Sequence, residues 1–134
     1  MIIGIGCDLA NINRFEQALS RFGERFVNRA FSAREKAELA HRKMLSPKEY
    51  ACAAAKRFAA KEACVKALGT GFRDGIFMRD IEIVHQPNGK PELCLQNGAR
   101  RQLEKICGNA AFKIHLTMTD DYPWAQAFVI VEII

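Results

Sequence analysis

The chain has 134 residues, of which 49% are hydrophobic and 26% are charged, and its formal net charge at pH 7 is +5. This composition excludes a disordered protein, and the absence of an apolar run near ~20 residues excludes a membrane-spanning helix. The length fits one domain, so we expect residues 1–134 to form a single domain. A domain this small rarely encloses a deep active site, which makes a site shared between subunits worth considering. The positive charge favours acidic partners: a nucleic acid, an anionic membrane, a phosphorylated cofactor or an acidic protein.

The cysteines and the N-terminal residues predict a soluble cytoplasmic protein. Five scattered cysteines without a C-x-x-C motif are typical of a reducing compartment, with neither a disulfide framework nor a structural zinc site. The opening "MIIGIGCDL" has no basic region and is interrupted by Asp8, so it is not a signal peptide.

The first predicted elements are a strand and a helix. "MIIGIGCDL" is predicted to be a short strand that ends at Asp8, with alternate residues sharing one face (Ile3, Ile5 and Cys7). "NRFEQALSRFG" is predicted to be an amphipathic helix, in which Asn13 and Glu16 can form a capping box and Gly23 ends the helix. The polar side of this region carries four arginines: Arg14, Arg21, Arg25 and Arg29.

Two more helices follow, each with a capping signal. Ser32 and Glu35 form a second capping box at the start of "SAREKAELAHRK". The sequence "SPKE" has serine at the N-cap, proline at the first helical position and glutamate at the third, and it predicts a long helix over residues 47–68. Gly69 is expected to end this helix.

The last third of the chain alternates strands, turns and a helix. "DIEIVHQ" and "PELCLQ" are predicted strands around the turn "PNGK", "GARRQLEKICG" is a helix, and "FKIHLTMTD" and "WAQAFVIVEII" are strands joined by "DDYP". This order predicts an α+β fold, in which a mostly antiparallel sheet packs on one long helix with shorter helices beside it.

Two carboxylates are candidates for chemistry. On a helical wheel Glu62 falls about 40° from the apolar Phe58, so its carboxylate emerges at the edge of the packed face. When Glu62 is taken alone, a surface pair with Lys66, worth only ~0.3–0.5 kcal/mol, is the preferred explanation, although a carboxylate near a packed face usually needs a cation. Asp8 ends an apolar strand, where sites tend to be built, although capping of the next helix is a common alternative.

These carboxylates could meet if the long helix packs against the sheet. Two carboxylates without a histidine suit Mg²⁺, which binds through one or two carboxylates plus substrate phosphates. The sequence Gly69-Thr70-Gly71 provides backbone able to approach a phosphate, although a simple helix stop explains it as well. Lys61 and Lys66 could neutralise phosphate charge, whereas lysines on a solvated face are the usual case.

Three segments resemble a known family in order across nearly the whole chain: "GIGCDL", "RFAAKEACVKALGTG" and "NGKP". The pattern G-x-D followed by F-x-x-K-E-x-x-x-K-A is similar to that of the holo-acyl-carrier-protein synthases, the small class of 4'-phosphopantetheinyl transferases. The resemblance implies transfer of phosphopantetheine from coenzyme A to a serine of apo-acyl carrier protein, with release of adenosine 3',5'-bisphosphate, in fatty acid biosynthesis. It also implies a homotrimer with active sites at the subunit interfaces.

The resemblance also implies roles for individual residues. Asp8 and Glu62 match the family's Mg²⁺ ligands, and Lys66 matches the lysine that faces the phosphates, so these three are the candidate catalytic residues. The positions matching the coenzyme A site are Arg57, Gly69, Thr70, Gly71, Asn88, Gly89, Lys90 and Pro91. Asp120 stands where many members have a histidine. His115 matches another family histidine, but an ordinary half-buried histidine is about as good a reading, and we assign it no essential role.

The arginines of residues 14–25 are candidates for contact with the carrier protein. Acyl carrier proteins are acidic, so Arg14, Arg21 and Arg25 are candidates for a docking strip, against the alternative of a solvated basic face.

One rival function is that of a basic nucleic-acid-binding module. No aromatic residues alternate with basic ones on a strand, so we expect neither nucleic acid nor membrane as a partner. A non-catalytic domain that binds coenzyme A or the carrier is the other rival, and it would not require both carboxylates.

Overall fold

One long helix, α4 (Pro47–Leu68), lies at the centre of the protein, and the computed structural model describes all 134 residues around it. The other helices and strands, in chain order, are β1 (Ile2–Asn11), α1 (Ile12–Phe22), α2 (Glu24–Ala30), α3 (Ala33–Leu45), a 3₁₀ turn (Met78–Asp80), β2 (Ile81–His85), β3 (Pro91–Leu95), α5 (Asn97–Cys107), β4 (Phe112–Asp121) and β5 (Trp124–Ile133). The predicted α+β class is confirmed, and every strand pair is antiparallel.

Helix α4 begins and ends where the sequence predicts. The Ser46 side chain accepts a hydrogen bond from the Glu49 amide at 3.0 Å, and Pro47 occupies the first turn, where its missing N–H costs nothing. Gly69 adopts a left-handed conformation with φ of 79°, which closes the helix. Thirteen of the 22 residues are buried, mostly alanines, so the helix is packed on most of its sides. Its small side chains allow neighbouring elements to come close.

The closest approach is between α4 and β1, backbone against backbone. A Cβ atom on Gly6 would overlap the Ala63 carbonyl oxygen and lie 2.9 Å from the Ala67 amide nitrogen, and a Cβ on Gly4 would overlap the Ala67 carbonyl oxygen. Only glycine therefore fits at these two positions of the strand. The contact fixes which face of β1 is turned toward the helix.

Three sequence predictions about the N-terminal region are wrong in detail. Strand β1 extends to Asn11 rather than ending at Asp8, because it pairs with β5 along its whole length. The N-cap of α1 is Asn11, whose side chain accepts from the amide of Asn13. Asn13 and Glu16 form no capping box and instead lie within hydrogen-bonding distance of the Tyr122 hydroxyl.

The strands form two sheets rather than the one that the sequence predicts. A three-stranded sheet has the order β1-β5-β4 and packs on α4, and β2 and β3 form a separate hairpin. Small and branched side chains of β5 fill the space between the large sheet and α4: Ala125, Ala127, Val129 and Val131, all fully buried. The alternation predicted for β1 holds for Ile5 and Cys7, while Ile3 lies at a register shift and packs against the core.

The other face of the large sheet carries apolar side chains that this chain does not cover. Ile5 is 63% exposed and Leu9 is 58% exposed on β1, and Trp124 and Phe128 of β5 are also exposed. Among the helices, none is long and apolar enough to cross a lipid bilayer.

Replacing Gly6 by alanine tests the contact between β1 and α4. The added methyl group must displace the helix backbone, so we expect Gly6→Ala to lower the free energy of unfolding by about 3 kcal/mol or more. Denaturant unfolding, followed by circular dichroism, measures this change.

Gly69→Ala is the matched control, because a Cβ at Gly69 meets no atom within 4 Å and only its left-handed backbone, with φ of 79°, disfavours alanine. A left-handed residue costs about 1–2 kcal/mol, so a Gly6 variant no less stable than the Gly69 variant would contradict the close contact between β1 and α4.

Candidate active site

A cleft of about 390 Å³ opens where β1, α1 and α4 meet. Among the residues that line it are Asp8, Asn11, Arg14, Phe15, Phe58 and Glu62. The cleft therefore combines two carboxylates, one arginine and an apolar floor. A larger cavity, of about 910 Å³, lies on the other side of α1 and contains none of the predicted site residues.

The close contact between β1 and α4 brings the two carboxylates together. Asp8 is two residues after Gly6 and therefore shares its face of the strand. Glu62 is the residue before Ala63, whose carbonyl oxygen faces Gly6. Asp8 and Glu62 therefore line the same cleft, as expected if the long helix packs against the sheet. Strand β1 continues for three residues beyond Asp8.

Lys66 contacts Asp8 rather than Glu62. Its Nζ lies 3.0 Å from Asp8 Oδ1 and donates a second hydrogen bond of 3.0 Å to the Cys7 carbonyl oxygen. The alternative of a surface pair between Glu62 and Lys66 along the helix is therefore not the arrangement observed. The Lys66 side chain is 52% exposed, so its ammonium group borders solvent as well as Asp8.

The pKa of Glu62 is raised above its ordinary value. Burial is the largest cause, the negative charge of Asp8 is the second, and the positive charge of Lys66 opposes both. The two carboxylates therefore repel each other across the cleft, and a cation bound between them would relieve that repulsion.

This donor set fits Mg²⁺. The ligands on offer are hard carboxylate oxygens, and no group of three histidine, cysteine or acidic side chains surrounds a common point anywhere in the chain. Mg²⁺ typically uses one or two carboxylates and completes its octahedral shell with water and substrate oxygens. Asp8 and Glu62 are the residues that would hold it.

The glycine-containing segment, residues 69–71, follows the end of α4. Gly69 and Gly71 both have positive φ, and a Cβ on either would meet no atom within 4 Å, so the backbone there faces open space. The Thr70 amide donates to the Val65 carbonyl at 3.2 Å, while the Thr70 hydroxyl oxygen is buried without a hydrogen-bond partner. The segment is thus tied to α4 and presents backbone that a ligand can approach.

The loop after this segment is fixed at its far end by a contact between two glycines. A Cβ on Gly98 of α5 would overlap the Gly75 carbonyl oxygen, so the two backbones touch. The next residue, Ile76, is buried. The loop over residues 69–75 is therefore anchored at both ends.

Arg57 belongs to a different cluster from Asp8 and Glu62. It is buried, and its Nη2 donates to Glu38 Oε2 at 2.7 Å, while its Nε is buried without a partner. Glu38 Oε2 also lies 3.6 Å from His85 Nδ1, at the end of β2. This cluster links α4 to the hairpin that carries residues 88–91.

The predicted turn lies at the tip of that hairpin. Asn88 Oδ1 accepts from the Lys90 amide at 3.0 Å, and Gly89 has φ of 87°, which is why glycine is needed there. Residues 88–90 are exposed and Pro91 is half-buried at the start of β3. The turn does not line the cleft of Asp8 and Glu62 within one protomer.

Lys61 is where sequence reasoning failed. The sequence suggested that Lys61 either neutralises phosphate charge or lies on a solvated face. Its side chain is instead fully buried, and its Nζ lies 2.7 Å from Glu35 Oε1. Glu35 and Glu38 on α3 were not singled out as partners of α4. Their ion pairs join residues 26 and 19 positions apart, which no local pattern could identify.

The four arginines divide between two helices. Arg14 and Arg21 lie on α1, seven residues apart and hence about 20° apart on the wheel, and both are exposed. Arg25 and Arg29 lie on α2, beyond the Gly23 break, and are also exposed. Arg14 lines the cleft, so the proposed strip begins at the site itself.

His115 and Asp120 lie on opposite faces of β4. His115 Nε2 is 2.8 Å from Glu132 Oε2 on the face turned away from α4. Asp120 is 3.1 Å from Lys56 Nζ, on α4. Burial would raise the pKa of Asp120, but hydrogen bonds from Cys52 and Lys56 outweigh it and hold the pKa below its usual value. Neither side chain lines the cleft.

Comparisons with known proteins agree with the geometry. The sequence profile of the 4'-phosphopantetheinyl transferase superfamily matches residues 4–127. The chain belongs to this superfamily. The holo-[acyl-carrier-protein] synthase of Sphingopyxis alaskensis is 54% identical over 136 residues, which cover 100% of this chain and 98% of that protein.

Solved structures of relatives have the same fold. The holo-[acyl-carrier-protein] synthase of Neisseria meningitidis superposes with a TM-score of 0.81 at 36% identity, over 98% of this chain and 99% of the other. The synthase of Bacillus anthracis, solved in complex with coenzyme A (3',5'-ADP), has a TM-score of 0.79 at 30% identity, over 100% and 99% of the two chains. Within its superfamily this phosphopantetheinyl transferase therefore groups with the holo-[acyl-carrier-protein] synthases, and it is an enzyme.

Proposed function

We propose that this transferase moves the 4'-phosphopantetheine group from coenzyme A to a serine of apo-acyl carrier protein, in a Mg²⁺-dependent reaction that releases adenosine 3',5'-bisphosphate. The observation that carries the proposal is the cleft in which Asp8 and Glu62 meet, with Lys66 beside Asp8. The names of the relatives, and the coenzyme A in the Bacillus anthracis structure, support the substrates. We also propose that the reaction serves fatty acid biosynthesis in the cytoplasm.

The reaction places negative charge on a diphosphate, and the cleft provides groups that counter it. When bound to Asp8 and Glu62, Mg²⁺ would neutralise charge on the diphosphate and polarise it for attack. The Lys66 ammonium, half exposed at the border of the cleft, adds a fixed positive charge where phosphate oxygens gain charge in the transition state. These three residues are the proposed catalytic set.

We assign the coenzyme A site to Arg57, residues 69–71 and residues 88–91. Three features support the assignment: backbone open to solvent at Gly69 and Gly71, an unpartnered Thr70 hydroxyl, and an unpartnered Arg57 Nε. The last two are buried polar atoms that lack a hydrogen-bond partner within the chain, which is the state expected of groups that bind a ligand.

We further propose a homotrimer with the sites at subunit interfaces. The uncovered face of the large sheet supports it, because Ile5, Leu9 and Phe128 are each more than 40% exposed on one surface. We expect the wild-type protein to sediment as a trimer and Phe128→Asp to sediment as a smaller species, because a charge on this face would be buried. Phe77→Asp is the control, since Phe77 is 56% exposed but lies outside the sheet. A wild-type monomer at micromolar concentration would contradict the trimer.

The central experiment measures mass. Purified protein, Mg²⁺, coenzyme A and an apo carrier protein should produce a carrier heavier by one phosphopantetheine. Asp8→Ala and Glu62→Ala should each lower the transfer rate by at least ~100-fold, because each removes half of the carboxylate pair. Full activity of either variant at saturating Mg²⁺ would overturn the metal assignment, and a carrier of unchanged mass with the wild-type protein would overturn the function.

Thermal unfolding shows whether such losses come from misfolding. The pKa of Glu62 is raised in the folded protein, so the ionised carboxylate destabilises the fold at pH 7 and protonation removes that penalty. Glu62→Gln should therefore keep or raise Tm at pH 7, and the difference should vanish as the pH falls to about 4. Glu104→Gln is the control, because it only removes an exposed pair with Arg100 and should give no gain at any pH.

We propose that the exposed arginines of α1 and α2, Arg14, Arg21, Arg25 and Arg29, dock the acidic carrier. Arg14→Glu/Arg21→Glu should raise KM for the carrier and flatten its dependence on salt, with KM for coenzyme A little changed, because surface charges act mainly on the rate of encounter. Steady-state kinetics at two ionic strengths measures both effects. Arg100→Glu/Arg101→Glu on α5 is the matched charge reversal and should change neither. An unaltered carrier KM in the first variant would mean that these arginines are only solvated surface.

A further inference from the structure

The buried ammonium group of Lys61 is fully satisfied by hydrogen bonds. It donates to Glu35 Oε1 at 2.7 Å, to the Met78 carbonyl at 2.9 Å and to the Ile81 carbonyl at 2.5 Å. An ammonium group has three hydrogens, so no donor is left over. The acceptors come from three different segments: α3, the 3₁₀ turn and the start of β2. Lys61 therefore joins α4 to all three at a single point.

Glu35 completes the connection from the other side. It is fully buried, its Oε1 accepts from the Ser32 amide at 3.1 Å in the capping box of α3, and its Oε2 accepts from the Ile83 amide at 3.4 Å in β2. The two buried charges thus neutralise each other, and each also holds backbone groups. Burial lowers the pKa of Lys61, and the Glu35 charge opposes that shift.

Stability alone does not explain a buried ion pair of this kind. Removing two charges from water is costly, and apolar side chains of similar volume often stabilise a core as well or better. Unlike apolar packing, hydrogen bonds depend on orientation. Three of them on one ammonium group fix the rotation of α4 relative to α3 and the 3₁₀ turn. Such control of rotation matters where a side chain of the helix must point in one direction.

The residues next to these contacts belong to the proposed site. Lys61 immediately precedes Glu62, so the rotation of α4 at Lys61 sets where the Glu62 carboxylate points. The 3₁₀ turn that begins at Met78 follows the loop of residues 69–75, so the same ammonium group also restrains the far side of that loop. Both parts of the site are thus connected to one buried side chain.

We propose that Lys61 is a positioning residue: its buried ammonium, held by Glu35 and the carbonyls of Met78 and Ile81, aims Glu62 at Asp8 and restrains the loop of residues 69–75. The roles of Glu62 and the loop rest on the proposed function. Lys61 itself touches neither substrate nor metal, which separates it from Lys66.

The double variant Glu35→Leu/Lys61→Met tests the proposal without leaving one charge buried alone. We expect it to fold, to need about tenfold more Mg²⁺ for half-maximal transfer, and to bind coenzyme A about tenfold more weakly by calorimetry in the presence of Mg²⁺. KM for the carrier should stay within about twofold, because the docking arginines lie on α1 and α2. Amide hydrogen exchange should become faster in residues 69–77.

Lys56→Met is the matched control: it removes a lysine of the same helix and its pair with Asp120, but it has no contact with the 3₁₀ turn. It should leave the Mg²⁺ requirement, the coenzyme A affinity and the exchange pattern unchanged. If the double variant does not fold, Lys61→Arg replaces it, because a planar guanidinium keeps the charge but cannot aim at the same three acceptors. The same changes, in smaller size, are expected.

The outcomes distinguish a failure of the positioning role of Lys61 from a failure of the proposed transfer reaction. A folded variant at Lys61 with wild-type Mg²⁺ requirement, coenzyme A affinity and exchange in residues 69–77 overturns the positioning role. A wild-type protein that transfers nothing to any apo carrier overturns the proposed function instead, and the exchange measurement then still decides whether Lys61 restrains the loop.

Discussion

The contact of two glycines with the backbone of α4 is the constraint on which the rest of the structure depends. Gly4 and Gly6 leave no space for a side chain between β1 and the helix, so the helix lies directly on the strand. Residues beside this contact are brought together by the main chain itself rather than by long side chains. Asp8 and Glu62 are two such residues, and their separation is set by the packing of one backbone against another.

The two lysines near Glu62 on α4, Lys61 and Lys66, differ in their exposure to solvent. On the solvent side, the Lys66 ammonium is half exposed and pairs with Asp8, so it can respond when another charge enters the cleft. On the buried side, Lys61 is enclosed and fully hydrogen-bonded, so it has no freedom to respond. Two lysines five positions apart on one helix therefore differ in the role that we propose for them, because they differ in burial.

The parts of the fold that local signals encode could be predicted from the sequence. The cap at Ser46 and the stop at Gly69 define α4, and the position of Glu62 near Phe58 on the wheel correctly indicated the edge of the packed face. Longer-range features could not be predicted, because β1 gains its extra length from pairing with β5 and Lys61 finds Glu35 only after α3 folds back. The family resemblance is confirmed, whereas the roles of individual site residues stay predictions.

The anchoring of the loop after α4 has a consequence for the energetics of ligand capture. Gly69 is fixed to the end of α4, Thr70 is tied to the Val65 carbonyl, and Gly75 is fixed by its contact with Gly98, which leaves residues 71–74 as the span that can adapt. Ordering one residue costs about 1–2 kcal/mol in backbone entropy, so a long free loop would consume much of the binding energy of a ligand. A four-residue span limits that loss, so more of the interaction with the proposed phosphate ligand remains available as affinity.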